Sequence, residues 1–275
     1  LLRMYGIHWD SGYHFHPDER MLIMVAERIQ FWTQLNPDFF NYGSLPIYLL
    51  KGISQLLDVL FKTNFANYDG MLVVGRVLST LTDLTVLTLI FQISQLLFRN
   101  KKVALWSIFF YAVAFFPIQN SHFFIVDTFL NLFSTLLLYQ LLLMHKKPTI
   151  FRTLLIGITF ASAITTKISA IIFLPIILFA IVFPQHIKET IFQRCIHFIQ
   201  RKLSARKFLI TTSWNLSTII VRILIFGAIS LLFSFLFMPY AFIESGRFIA
   251  DISQQIQMNS DAYIFPYTLQ YVGTL

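Results

Sequence analysis

The feature that most constrains this chain is a series of long apolar runs, at about 71–97, 103–120, 127–144, 153–166, 168–183 and 216–239. Of the 275 residues, 56% are hydrophobic and only 12% are charged, whereas soluble domains are about 45–50% apolar and about 25% charged. A soluble domain of this length cannot bury so much apolar surface in one core. A bilayer core of roughly 30 Å needs about 20 helical residues. The runs therefore predict an all-α, polytopic transmembrane bundle with about six spans.

The stretch 153–183 fits either one helix or a hairpin that turns at Thr165, Thr166 and Lys167. As one helix it is about 46 Å long, which exceeds one comfortable span. With the hairpin, one side of the membrane receives 98–102, 145–152 and 184–215, with twelve Lys or Arg and one acidic residue. The other side receives seven Lys or Arg and eleven acidic residues. Because cytoplasmic loops carry the Lys and Arg excess, the hairpin is favoured and residues 1–70 are predicted to lie outside.

These assignments give a single transmembrane domain that we expect to be incomplete at both ends, because the chain begins with Leu1 and ends without a tail. Its predicted parts are an external loop (1–70), five spans (71–183), a basic cytoplasmic loop (184–215), one span (216–239) and an external loop (240–275). The segment 184–210 fits either an amphipathic helix on anionic headgroups or a solvated loop. The net charge of +8 is assigned mainly to cytoplasmic loops, so no nucleic-acid partner is predicted.

The first external segment predicts two interfacial helices. Pro17 suits a first helical position, and the acidic pair Asp18 and Glu19 then falls in the first turn, where the helix dipole favours negative charge. The apolar pattern extends this helix over 21–33, and a second helix runs from about Ser44 to Phe61. The acidic pair has two interpretations. It either marks the start of a helix and has no further role, or it consists of functional ionisable groups that face a cavity at the membrane surface.

Several motifs resemble the GT-C glycosyltransferases, most closely the protein O-mannosyltransferase-like (PMT) family, with the lipid A aminoarabinose transferases as relatives. The resemblance rests on His-Pro-Asp-Glu at 16–19, on Asn-Pro-Asp-Phe-Phe-Asn-Tyr-Gly-Ser-Leu-Pro at 36–46, on Arg-Val-Leu-Ser at 76–79, on Ser-His-Phe at 121–123 with Asp127, on Pro239-Tyr240 and on the segment 267–274. It covers nearly the whole chain, but only the N-terminal part of such an enzyme.

The resemblance implies transfer of a sugar, mannose or another hexose, from a polyprenyl-phosphate donor to a hydroxyl of a protein, glycolipid or polysaccharide. It also implies an extracytoplasmic active site in a prokaryotic plasma membrane. It places the family's catalytic aspartate on Asp18, which would act as general base in an inverting reaction, while Glu19 would orient a donor hydroxyl or a neighbouring cation. A monophosphate leaving group has less charge to neutralise than a diphosphate, so a metal is chemically optional and no cofactor is predicted besides the lipid-linked donor. A metal bound by His14, His16 and Asp10 or Asp18 is chemically possible but not expected.

Further candidates for substrate binding are His16, Arg76, His122, Asp127, Lys167, Gln254 and Tyr267, with Arg247 beside them. Arg76 either meets the donor phosphate or pairs with Asp83, seven residues on along the same helix face. Lys167 either binds phosphate or reaches to headgroups, and Asp127 either lines the site or caps a helix.

The main alternative is a multi-span transporter or a flippase for lipid-linked sugars, with Asp18, Asp127 and Lys167 as substrate sites. Transporters tend to contain repeats and broken helices at the midplane. Here the charges gather at one face, which favours the transferase.

Overall fold

A computed structural model describes residues 2–183 and 216–260 of the chain. The helices are α1 (Pro17–Arg28), α2 (Leu45–Phe61), α3 (Tyr68–Phe98), α4 (Lys101–Val113), α5 (Phe115–Asn120), α6 (Val126–Lys146), α7 (Ile150–Ile164), a 3₁₀ helix (Ile168–Phe173), α8 (Leu174–Val182), α9 (Leu216–Phe237), α10 (Pro239–Ile243) and α11 (Ser245–Ser260). No β-strand occurs in the described ranges, so the predicted all-α class is confirmed. The predicted basic loop 184–215 and Tyr267 lie outside the described residues.

Among the helices that the structure describes, three (α3, α6 and α9) are long and apolar enough to cross a membrane. They coincide with the predicted runs 71–97, 127–144 and 216–239. The run 103–120 differs from a single span because it is divided into α4 and α5 at Ala114. Pro117 accounts for the division, since its ring would clash with the carbonyl of Val113 in a continuous helix.

The chain also divides between α7 and the 3₁₀ helix, at Thr165, Thr166 and Lys167. Helix α8 then packs against α6 and α9, and all three helices contribute with α7 to one buried cluster. The cluster consists of Leu137, Leu141, Met144, Ile156, Phe160, Ile177, Ile181 and Phe226.

A second buried cluster joins the first segment of the chain to the bundle. It contains Leu22, Ile23, Val25, Ala26 and Ile29 from α1 and its C-cap, Ile47 and Leu50 from α2, Met71, Leu72 and Val74 from α3, and Phe124, Val126 and Phe129 at the start of α6. Helix α1 ends at Arg28, before the predicted end at 33, because the backbone groups of Gln30 and Gln34 pair with each other in a turn. Packing of α1 on α3 places its first turn beside the start of α6.

The loop before α2 contacts the turn between α7 and the 3₁₀ helix through its backbone. The Gly43 amide donates to the carbonyl of Thr166 at 3.0 Å, and the Leu45 amide donates to that of Thr165 at 3.1 Å. A Cβ atom at position 43 would lie 1.8 Å from the Thr165 carbonyl oxygen. Gly43 is therefore required by this close approach of two backbones.

We expect Gly43→Ala to lower the free energy of unfolding by about 1–3 kcal/mol, because the added methyl forces the two backbones apart. Gly227→Ala is the matched control, since the Cβ it would add has no atom within 4 Å beyond the adjacent backbone of its own helix. Thermal unfolding of both variants in the same detergent measures the difference. Equal stability of the two variants would contradict the contact.

Candidate active site

One end of the bundle gathers most of the predicted site residues. The first turn of α1, the start of α6 and the turn at Lys167 meet there. The Phe124 amide donates to Glu19 Oε1 at 2.9 Å, and Lys167 Nζ donates to Asp127 Oδ1 at 2.8 Å. Residues far apart in the sequence therefore form one polar region at this end.

Arg76 on α3 lies at the centre of this region and is completely buried. Its Nε and Nη2 donate to the two Glu19 oxygens at 3.0 and 2.7 Å. Its Nη1 and Nη2 donate to the two Asp10 oxygens at 3.0 and 2.7 Å, and Nη1 also donates to the carbonyl of Ile7 at 2.6 Å. A guanidinium has five N–H groups, and all five have an acceptor here.

This arrangement corrects one of the two sequence-based interpretations of Arg76. The pairing with Asp83 is wrong, because Asp83 is buried in an ion pair with Arg3 and accepts from the Tyr111 hydroxyl at 2.6 Å. All five N–H groups of Arg76 already have an acceptor in this structure, and contact between Arg76 and a donor phosphate stays a prediction. Asp83 follows Arg76 by seven residues on the same face of α3, but Arg3 supplies the positive charge that pairs with it.

Asp10 is a buried carboxylate that the sequence suggested only as an optional metal ligand. Burial alone raises the pKa of Asp10, but hydrogen bonds from Arg76 and from the Gly12 amide outweigh it and hold the pKa at about 2. Asp10 is therefore ionised at neutral pH. The buried group of Arg76, Asp10 and Glu19 combines one positive and two negative charges.

The two predicted catalytic carboxylates, Asp18 and Glu19, have different surroundings at the start of α1. Glu19 is completely buried in the contacts above. The half-buried side chain of Asp18 has no hydrogen bond or ion pair within the described ranges. His16 caps the helix, where its Nδ1 accepts from the Glu19 amide at 3.4 Å, and its ring lies 4.4 Å from that of Phe123. His16 and Glu19 thus hold the turn that carries Asp18.

The candidates His122, Asp127 and Lys167 lie on the neighbouring elements. Asp127 and Lys167, which the sequence suggested separately, form an ion pair with side chains 46% and 34% exposed. Asp127 also lines a cavity of about 450 Å³ together with Asp83, Tyr111, Asn131 and Phe173. The two ring nitrogens of His122 lie 2.7 and 2.8 Å from the carbonyl oxygens of Ile118 and Tyr5, so His122 links the first segment to α5.

The remaining candidates are less closely connected with this region. Gln254 is exposed on α11. Arg247 pairs with Asp38 and lies 3.9 Å from Glu244, so it connects α11 with the loop before α2.

Within the described ranges, no group of three or more His, Cys, Asp or Glu side chains could hold a metal ion. The ring of His14 stacks on Tyr68 at 4.1 Å, and its Nε2 lies 3.3 Å from Asp69. His14 and His16 therefore have separate partners, and the structure does not assemble the cluster that the sequence allowed.

The described elements and the polar end define a helical membrane protein with carboxylates collected at one end of the bundle. Residues 68–200 match the family model described as dolichyl-phosphate-mannose-protein mannosyltransferase. This match covers just under half of the chain and supports a PMT-like membrane glycosyltransferase of the GT-C type, the class that the motifs resemble. The matched range contains Arg76, His122, Asp127 and Lys167, whereas Asp18 and Glu19 precede it. No curated protein and no solved structure gave a significant match.

Proposed function

We propose that this chain transfers a sugar from a polyprenyl-phosphate carrier to an acceptor hydroxyl at the extracytoplasmic face, with inversion at the anomeric carbon. Mannose or another hexose is the sugar, and a protein, glycolipid or polysaccharide supplies the hydroxyl. The observation that carries this proposal is the first turn of α1, where Glu19 is buried against Arg76 while Asp18 is left without a partner among the described residues. A carboxylate that is held in place and unpaired suits a general base.

In the proposed reaction, Asp18 accepts the proton of the acceptor hydroxyl while that oxygen attacks the anomeric carbon. The bond between the anomeric carbon and the phosphate oxygen breaks, and its electron pair leaves with the polyprenyl phosphate. One displacement inverts the configuration, and no oxidant or second nucleophile is needed. The carboxylate is restored when the proton passes to solvent.

The leaving phosphate needs a positive partner, and Lys167 is the candidate because Arg76 has no N–H group available. Lys167 lies at the same end as α1, and its ammonium is only partly covered by Asp127. An ion pair with this exposure contributes little stability. A phosphate can therefore replace Asp127 as the partner of Lys167 at small cost.

Donor identity provides the direct test of this proposal. The purified full-length protein is given an acceptor and the same labelled sugar either on polyprenyl phosphate or on a nucleotide. We expect release of polyprenyl phosphate and labelling of the acceptor with the lipid donor only. Transfer from the nucleotide donor alone would contradict the proposal.

We expect Lys167→Met to raise the KM for the lipid donor about tenfold, which corresponds to about 1.4 kcal/mol of lost interaction with the phosphate. Lys101→Met removes an exposed charge at the start of α4 and serves as the control. Initial rates at varied donor concentration give both values. An unchanged KM in the Lys167 variant would remove this residue from the donor site.

A further inference from the structure

The contacts of Arg76 indicate that Asp10 helps to determine the geometry of the site. Asp10 supplies two of the five acceptors of the guanidinium, and its side chain is completely buried. Glu19 supplies two others, and both carboxylates bind Nη2 at 2.7 Å. The plane of the guanidinium is therefore determined jointly by Asp10 and Glu19.

Loss of the Asp10 carboxylate would leave two N–H groups of Arg76 without acceptors in a buried place. Buried donors without partners are costly, so Arg76 would turn toward other acceptors. Because Glu19 is held by Arg76 on one side and by the Phe124 amide on the other, a shift of Arg76 would move Glu19. Asp18 precedes Glu19 in the same helical turn and would move with it.

We propose that Asp10 is a positioning residue for the transfer reaction, which orients Asp18 through Arg76 and Glu19 without touching either substrate. This inference rests on the proposed function. The structural part of this proposal is that Asp10 orders the first turn of α1, and it can be tested by a measurement that does not depend on activity. The turn containing Asp10 is itself held by the Gly12 amide, which donates to Asp10 Oδ1 at 3.2 Å.

The test compares Asp10→Asn and Asp10→Ala with Glu27→Gln, which changes an exposed carboxylate on α1. We expect kcat to fall about 10- to 100-fold in Asp10→Ala, the size of effect that a small misplacement of a reacting group produces, with KM for both substrates within about twofold. Asp10→Asn keeps one acceptor oxygen, so its kcat should fall less, while the kcat of Glu27→Gln should equal that of the wild type.

Hydrogen–deuterium exchange of the same proteins provides the readout that is independent of activity. Amides in the first turn of α1 should exchange at least several-fold faster in Asp10→Ala, while α6, α7 and α9 keep wild-type rates, which also shows that the variant is folded. Unchanged exchange in that turn would overturn the role of Asp10, as would an unchanged kcat or a rise in KM alone. Absence of sugar transfer by the wild-type protein would instead contradict the proposed function. The exchange rates would still show whether Asp10 orders the first turn of α1.

Discussion

Asp18→Asn is expected to reduce transfer from the lipid donor about 10²- to 10⁴-fold, the usual contribution of a general base. The amide has nearly the same shape as the carboxylate but cannot accept the proton of the acceptor hydroxyl. Stability should change little, because the half-buried Asp18 side chain has no hydrogen bond or ion pair within the described ranges. A large loss of kcat with a normal unfolding temperature therefore separates chemistry from folding.

The matched control is Glu27→Gln, on the same helix, which should keep wild-type kcat. Single-turnover measurements with labelled donor remove any contribution from product release. Turnover of Asp18→Asn within a few-fold of the wild type would show that the general base lies elsewhere.

Arg76→Ala is expected to have the largest effect on stability, a loss of about 3–5 kcal/mol. The change leaves the carboxylates of Asp10 and Glu19 buried next to each other without a cation, and breaking a buried ion pair from one side typically costs this much. For a protein of this size the unfolding temperature should fall by roughly 10 °C. Activity should be lost with it, since the turn that carries Asp18 depends on Glu19.

Arg20→Ala is the control for this measurement, because Arg20 is an exposed arginine on α1. Thermal unfolding of both variants in detergent gives the comparison. An Arg76→Ala protein that unfolds at the wild-type temperature would show that the buried group of Arg76, Asp10 and Glu19 does not stabilise the fold.

The elements whose signals are local could be predicted from the sequence. Apolar length alone located α3, α6 and α9, and the start of α1 follows from the fixed backbone of Pro17, which is already suited to a first helical turn. Apolar length failed at 103–120, because Pro117 breaks the helix inside an otherwise continuous run. The helical spacing of apolar residues likewise failed after Arg28, where a backbone turn between Gln30 and Gln34 takes the place of the last helical turn.

The partners within the candidate site could not be predicted in the same way. Helical spacing relates residues three, four or seven positions apart, and on that basis Asp83 was the natural partner for Arg76. The actual partners, Asp10 and Glu19, come from a different segment and reach Arg76 only because α1 packs on α3. The Lys167–Asp127 pair likewise depends on how α6 and α7 pack, so the sequence indicated both residues but not their contact.

Proteoliposomes that contain the full-length protein provide the most direct measurement of the central claim. Labelled sugar is supplied on polyprenyl phosphate in the bilayer, with an acceptor on the side that the first turn of α1 faces. We expect the label to move to the acceptor and free polyprenyl phosphate to appear in equal amount, and we expect neither product with the Asp18→Asn protein. Movement of the intact lipid-linked sugar across the bilayer, without transfer and unaffected by the Asp18 change, would contradict the central claim.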